Sequence, residues 1–259
     1  MNDKKLNHIG EVIAGLGILF IGMNLMSESM LPLQDSPTFI HLLTTISNPF
    51  LAGGEFYAFG TGHSHMIVEE LYTRAGGLAF VHPILPPELM LHEMVNKSTN
   101  IERLPGYAKA LLDLYPVGEN DVFLIISNSG RNSVPVEMAM EARKRGAKVI
   151  CITSMKHSTT CTSRQKDGYK LYQVSDLVID NQAEYGDAGY YVGKHQIPVA
   201  GTSDFIGIAI VQTLTVAIAS KLEAKGLEVP VFRSGNVDGA EEINYSLHKK
   251  YIEKNPYIL

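Results

Sequence analysis

The sequence predicts an α/β domain built on a parallel sheet that is covered on both faces. Two runs, Val122–Ile126 and Val149–Ile152, are apolar at every position, as strands buried on both faces must be. From about residue 53 onward such runs alternate with stretches of helical spacing, the pattern of right-handed β-α-β crossovers. Several runs also end in short loops of Gly, Ser and Thr, the chemistry of strand ends that carry a site.

The elements follow in order. Phe56–Phe59 reads as the first strand, ending in Gly60-Thr61-Gly62-His63-Ser64. Met66, Val68, Leu71, Tyr72 and Ala75 have helical spacing, and Gly76 and Gly77 follow as caps. Leu78–Pro83 reads as the second strand, and Pro105–Tyr115 as a helix with Pro at its start. The third strand is Val122–Ile126, the turn 127–132 follows it, and a helix over Pro135–Arg145 stops at Gly146. Val149–Ile152 and Asp176–Asp180 are strands four and five. Ser203–Lys225 is a long helix ended by Gly226, and Asp238–Tyr251 is the last helix.

Residues 1–52 differ from this pattern and read as an apolar helical leader ahead of a domain over 53–259. Ile9–Met26 is apolar except for Glu11 and Asn24, and carries Gly10, Gly15, Gly17 and Gly22. Glycines at this density are poor in a soluble helix but let membrane helices approach closely. The segment therefore reads either as a buried core helix or as a membrane segment. Pro32 ends it, Ser36 and Pro37 are the N-cap and first position of a short second helix, and Pro49 closes that helix.

Composition excludes several classes. The 259 residues are 45% hydrophobic and 19% charged with a net charge of −5, so disordered and collagen-like chains are ruled out. A pI near 6.0 argues against nucleic acid as a partner. Two cysteines, Cys151 in an apolar run and Cys161 in a Ser/Thr-rich loop, fit a reducing, cytoplasmic compartment and no disulfide scaffold. Attachment to a membrane through residues 8–31 is the alternative location.

Three strand ends carry the chemistry: Gly60-Thr61-Gly62-His63-Ser64, Ser127-Asn128-Ser129-Gly130-Arg131-Asn132, and Thr153-Ser154. Glycines admit a ligand close to the backbone, helix starts favour an anion, and hydroxyls donate to phosphate oxygens. No Gly-Lys-Ser/Thr follows, so this is not a nucleotide P-loop, and His65 stands where a dinucleotide fingerprint needs its third glycine.

These loops resemble the phosphosugar-binding loops of SIS (sugar isomerase) domains. Phe59–His65, Glu69-Glu70-Leu71, Arg74–Gly77, Ile126–Asn132 and Asn236–Gly239 together resemble an uncharacterised bacterial family with a single SIS domain. That resemblance implies a flavodoxin-like three-layer sandwich with a five-stranded parallel sheet, and a homodimer with sites near its interface. It implies that Ser64, Ser127, Ser129 and Ser154 hold the phosphate or sugar, with Gly60, Thr61, Gly62, Asn128, Asn132, Thr153, Asp187 and Ser203 beside them. Asn132 stands where many such domains have Ser or Thr. Residues 8–52, with Gly15–Gly22, Leu25–Glu28, Asp35–Pro37 and Ser47–Pro49, resemble a repeat segment of bacterial sodium/phosphate cotransporters. A single fragment of that kind carries no transport activity.

The implied reaction is aldose–ketose isomerisation of a sugar phosphate, with no cofactor; a non-catalytic sugar-phosphate sensor or a lyase acting on an amino-sugar phosphate are the alternatives. Isomerisation needs a base within reach of the moving proton. Glu93 follows the second strand, where some SIS isomerases place a glutamate. Glu69 and Glu70 lie one turn into the first helix, His63 lies in the first loop, and Asp187 follows strand five. His65 and His92 are further acid or positioning candidates. His63, His65 and Glu69 could form a metal set, but two histidines two residues apart do not share a helix face, and no metal is expected. Asn236 and Asp238 either close the site or, for Asp238, cap the last helix.

Overall fold

Five of these runs form one parallel sheet in a computed structural model of the chain, which describes Thr44 and residues 53–252. The chain divides into two compact units, Met1–Thr44 and Thr45–Leu259. Apart from Thr44, the leader over residues 1–52, its transporter-like segment and the candidate membrane segment 8–31 lie outside the described residues.

The strands are β1 (Phe56–Gly60), β2 (Val81–Ile84), β3 (Val122–Ile126), β4 (Lys148–Thr153) and β5 (Leu177–Asp180), in the order β2-β1-β3-β4-β5. This is the flavodoxin-like order, in which the chain reverses direction across the sheet between β1 and β3. The register pairs Phe56 with Val122 and Gly60 with Ile126, so β1 and β3 end side by side. Their following loops must therefore meet at the carboxyl edge.

Strand side chains alternate between faces. Tyr57, Phe59, Phe123, Ile125, Val149 and Cys151 share one buried cluster with Ala108, Leu111 and Leu112 of helix α3 (Tyr107–Leu112) and Val134, Val136, Met138, Ala139 and Ala142 of α4 (Ser133–Lys144). Right-handed crossovers place α1 (Ser64–Leu71) and α6 (Ser203–Ala224) on the opposite face, where the two helices pack together. Gly207 of α6 makes that approach close: a Cβ there would lie 2.3 Å from Cδ1 of Ile67. Among the described residues, α6 is the one helix long and apolar enough to cross a membrane. Its buried Gly207, Val211, Leu214, Ile218 and Leu222 form a stripe at intervals of three and four. That is the stripe of a helix lying on a layer of packed side chains.

Several boundaries depart from expectation. Helix α1 begins at Ser64 and ends at Leu71, ahead of Thr73 with a φ of +51°. Gly76 and Gly77 do not cap it; Gly76 N–H donates to the Phe232 carbonyl and the Phe232 N–H to the Gly77 carbonyl. Leu78 is bridged antiparallel to Val231, so β2 proper begins only at Val81. The last helix is α7 (Ala240–Leu247) followed by a π-helical turn over His248–Ile252. Gly239, with φ +78°, occupies its N-cap position in place of Asp238.

Further elements lie outside the sequence expectation. Helix α2 (Val95–Ile101) follows β2, and α5 (Met155–Thr160) follows β4. Strands β6 (Ala188–Val192) and β7 (Ile197–Gly201) form a separate antiparallel ribbon.

Candidate functional site

The loops after β1 and β3 enclose a cavity of about 300 Å³ at the switch point of the sheet. Thr61, Gly62, His63 and Ser64 supply one wall, and Ser127, Asn128, Ser129 and Asn132 another. Leu91, Val95, Ser98, Thr99 and Glu102, on and around α2, with His157 of α5, complete it. Ligands of open α/β sheets bind at this position, and the volume lies at the lower end of the small-molecule range.

The tight turn after β1 is built into the backbone. A Cβ on Gly60 would lie 2.6 Å from the Ser64 carbonyl oxygen, so the loop can close onto α1 only with glycine there. Gly62 has a φ of +57°, and its N–H donates to the Leu89 carbonyl at 2.9 Å, tying the loop to the segment after β2. In the β3 loop, the Gly130 N–H donates to Ser127 Oγ at 3.3 Å. That bond uses an acceptor lone pair, so the Ser127 hydroxyl proton is left to donate to a ligand.

Glu102, at the C-terminal end of α2, joins the two walls. Thr61 Oγ1 donates to its Oε2 at 2.8 Å and Asn132 Nδ2 to its Oε1 at 2.6 Å. Arg164 Nη1 in turn donates to Asn132 Oδ1 at 2.8 Å. Burial pushes the Glu102 carboxyl above its ordinary range, against the lowering effect of the Thr61 hydrogen bond and of Arg103 and Arg164. A raised carboxyl in a cavity wall is the kind of group that serves in acid–base chemistry.

His157 is the second titratable group in the wall not expected from sequence. Burial lowers its pKa, Arg131 adds to the lowering, and Asp187 opposes it. Its Nδ1 accepts the Gly186 N–H at 3.4 Å, which leaves the proton of the neutral ring on Nε2.

The structure disperses other candidates. Glu93 is exposed and ion-paired with Lys97, one helical turn away, and does not line the cavity. Glu69 points to His65 (Nε2 to Oε1, 3.6 Å), and Glu70 pairs with Arg74 and accepts from Gln212. Thr153 Oγ1 is spent on the Asn128 carbonyl at 3.1 Å and on Ser158 Oγ at 2.8 Å, behind the β3 loop. Ser154 caps α5 by accepting the His157 N–H and donates to the Ala183 carbonyl. Asp187 accepts the Thr202 and Ser203 N–H groups on Oδ1 and the Ser203 hydroxyl on Oδ2, so both Asp187 and Ser203 are committed to the start of α6.

A second polar cluster lies at the shoulder of the cavity. One ligand atom each from His65, Glu69 and His92 lie within 4.8 Å of one another. His63, the third member of the set considered from sequence, lines the cavity instead.

A SIS-domain family model matches residues 34–154. A UPF0309 protein of Halalkalibacterium halodurans is 54% identical over 208 residues, covering 80% of this chain and 86% of that protein. The chain belongs to the UPF0309 family. A second UPF0309 relative, from Geobacillus thermodenitrificans, is 41% identical over 214 residues and covers 83% of this chain and 86% of its own. Among solved structures, a protein of Escherichia coli CFT073 in a ligand complex is 18% identical with a TM-score of 0.46, covering 86% of this chain and 94% of that one. A Francisella tularensis phosphoheptose isomerase is 14% identical with a TM-score of 0.44, covering 79% and 98%.

Neither Glu102 nor His157 announces itself in this UPF0309 sequence. Glu102 precedes Arg103 and reads as one half of a surface charge pair, and helix α2 that carries it has the weak helix formers Val, Asn, Ser and Thr.

Proposed function

We propose that this chain binds a sugar phosphate in the cavity between the β1 and β3 loops and interconverts its aldose and ketose forms. The observation that carries the reading is a partly buried carboxyl of raised pKa, Glu102, in the same cavity as the hydroxyls of Ser64, Ser127 and Ser129. The SIS-domain match supports the ligand class. The three hydroxyls hold the phosphate beside the starts of α1 and α4, where the helix dipoles favour an anion. The Glu102 carboxylate takes the proton from the carbon next to the carbonyl and returns it to the former carbonyl carbon. His157 moves the hydroxyl proton between the two oxygens of the enediol. Glu102 and His157 thus take the place that the sequence suggested for Glu93, Glu69 and His63.

A panel of pentose, hexose and heptose phosphates incubated in D2O tests the reaction by NMR. The expected result is one substrate class that converts with deuterium incorporated at C1 or C2, and that Ser127→Ala binds at least about tenfold more weakly by calorimetry. Saturable binding without exchange would leave a sugar-phosphate sensor and refute the isomerase step. No binding across the panel would refute the ligand class.

The reading includes a homodimer in the cytoplasm, and light scattering checks the assembly. Tyr190, Tyr191, Ile197 and Val199, exposed on the ribbon, support an assembly that covers them.

A further inference from the structure

We propose that Arg103, Arg131 and Arg164 form a second anion subsite at the rim of the cavity, which takes a further acidic group, carboxylate or phosphate, of the bound sugar phosphate. The proposal rests on the sugar-phosphate reading and narrows its substrate class to sugars with two acidic groups.

The three arginines converge on one residue of the cavity wall, Asn132. Arg131 precedes it in the β3 loop, and the Arg131 carbonyl accepts the Arg164 N–H at 2.8 Å. Arg164 Nη1 donates to Asn132 Oδ1 at 2.8 Å. Asn132 Nδ2 donates at 2.6 Å to Glu102, the chain neighbour of Arg103. Burial lowers the pKa of His157 in the opposite wall, and the charge of Arg131 adds to that lowering, so the cluster acts on the cavity itself.

The charge of the cluster is not compensated. Arg74, Arg143 and Arg145 are ion-paired with Glu70, Asp176 and Asp113. Among the described residues, Arg103, Arg131 and Arg164 form no such pair with a carboxylate. Partial desolvation lowers the pKa of Arg164, repulsion from Arg131 and Arg103 adds to it, and Glu102 opposes both. Three cations around one carboxylate leave positive charge in excess, in a chain whose net charge is −5. An anion at the rim relieves that repulsion.

Arg131 also has a donor to give. Its Nη2 donates to Thr162 Oγ1 at 2.9 Å, while its Nε–H is buried with no hydrogen-bond partner among the described residues. Buried donors nearly always find an acceptor, so this side chain gains by any rotamer that turns the group to one. Carboxylate and phosphate oxygens match the guanidinium fork. Arg103 and Arg164 are exposed, so both side chains can turn to the same group.

The test uses the full chain and calorimetry at fixed ionic strength, because salt screens exposed charges. Glucose 6-phosphate is compared with 6-phosphogluconate, which carries a carboxylate as well, and fructose 6-phosphate with fructose 1,6-bisphosphate, which carries a second phosphate. Neither doubly acidic sugar can isomerise at its first two carbons, so binding alone is read. The doubly acidic member of at least one pair should bind about tenfold tighter or more, as charge-assisted hydrogen bonds provide. Arg103→Gln and Arg164→Gln alter exposed side chains, and each should cut that ratio about threefold or more. Lys225→Gln removes the same charge beyond the end of α6, about 33 Å along the helix from Ser203, and should leave the ratio unchanged. A wild-type ratio near unity in both pairs would overturn the proposal and leave the sugar-phosphate reading standing. So would arginine variants that weaken both members of a pair equally, which would put the arginines on the first phosphate. A ratio that falls as far in Lys225→Gln would reduce the effect to net charge and overturn it too. Pyrophosphate separates the two readings if no sugar phosphate binds. Binding of pyrophosphate that weakens in Arg164→Gln would keep the anion subsite and refute the sugar, and absence of such binding would refute the subsite as well.

Discussion

Replacing Glu102 by Gln gives the most direct test of the cavity's electrostatics. The carboxylate accepts from Thr61 and from Asn132. Hydrogen bonds to a charged group contribute about 1.5–3 kcal/mol each against about 0.5–1.5 for neutral ones, so neutralising Glu102 weakens the pair by about 2–3 kcal/mol in total. Burying an ionised carboxylate costs several kcal/mol. Because the carboxyl is raised, burial outweighs the hydrogen bonds. The sign follows from proton linkage. Between the ordinary carboxylate range and the raised value, the folded state holds the proton more tightly than the unfolded state, so the wild type loses stability as pH rises through that window. Glutamine is neutral throughout and removes this slope. Thermal melts of both proteins from pH 4 to pH 8 should run parallel at the acid end and diverge in favour of the glutamine variant toward neutrality. A benefit of about 1 kcal/mol corresponds to a rise in Tm of about 2–4 °C at this chain length. Turnover, read by solvent deuterium exchange, should fall about 10²–10⁴-fold in the same variant. A glutamine variant that becomes progressively less stable than wild type as pH rises would refute the reasoning, because it would mean that the site stabilises the charged form.

Three further outcomes are expected. Gly60→Ala drives a Cβ to 2.6 Å from the Ser64 carbonyl oxygen; forcing α1 back should cost about 1–3 kcal/mol, seen as a lower Tm, with sugar-phosphate binding lost in calorimetry. Asp187→Ala strips the acceptor from the Thr202 and Ser203 N–H groups at the start of α6 and puts alanine at a φ of +70°, so urea unfolding should show a loss of about 1–2 kcal/mol or more, largely restored in Asp187→Asn. Burial pushes the Cys151 thiol up to about 12, so this cysteine should stay unreactive to a thiol reagent at pH 8 in the native protein and react once it is unfolded.

The elements legible in the sequence are those whose signal is local. Val122–Ile126 reads as a strand because five consecutive apolar residues leave no polar face, and it is one. Helix α6 and the glycine ending it read correctly because their signal is local as well. Helices α2 and α5 are silent in the sequence because VNKSTNI and MKHSTT carry neither helix propensity nor an apolar period; tertiary packing holds them. The Gly76-Gly77 pair looks like a helix cap because nothing local reveals that Phe232, some 155 residues away, supplies its hydrogen-bond partners. At the site, Thr61, Gly62, His63, Ser64, Ser127, Asn128, Ser129 and Asn132 come together at one cavity, as turns that follow adjacent strands must.

The sequence by itself determined the strands, the loops at their ends and therefore the position of the cavity, because burial pattern and turn chemistry act over a few neighbouring residues. The tertiary structure alone decided which acid stands in it. Glu102 meets Thr61 across 41 residues and Asn132 across 30, while Glu93, closer to the strand, turns outward to Lys97. It likewise decided that His92 rather than His63 joins His65 and Glu69. Such pairings depend on how the segment after β2 folds over the switch point, and a side chain's direction there is fixed by contacts distant in sequence.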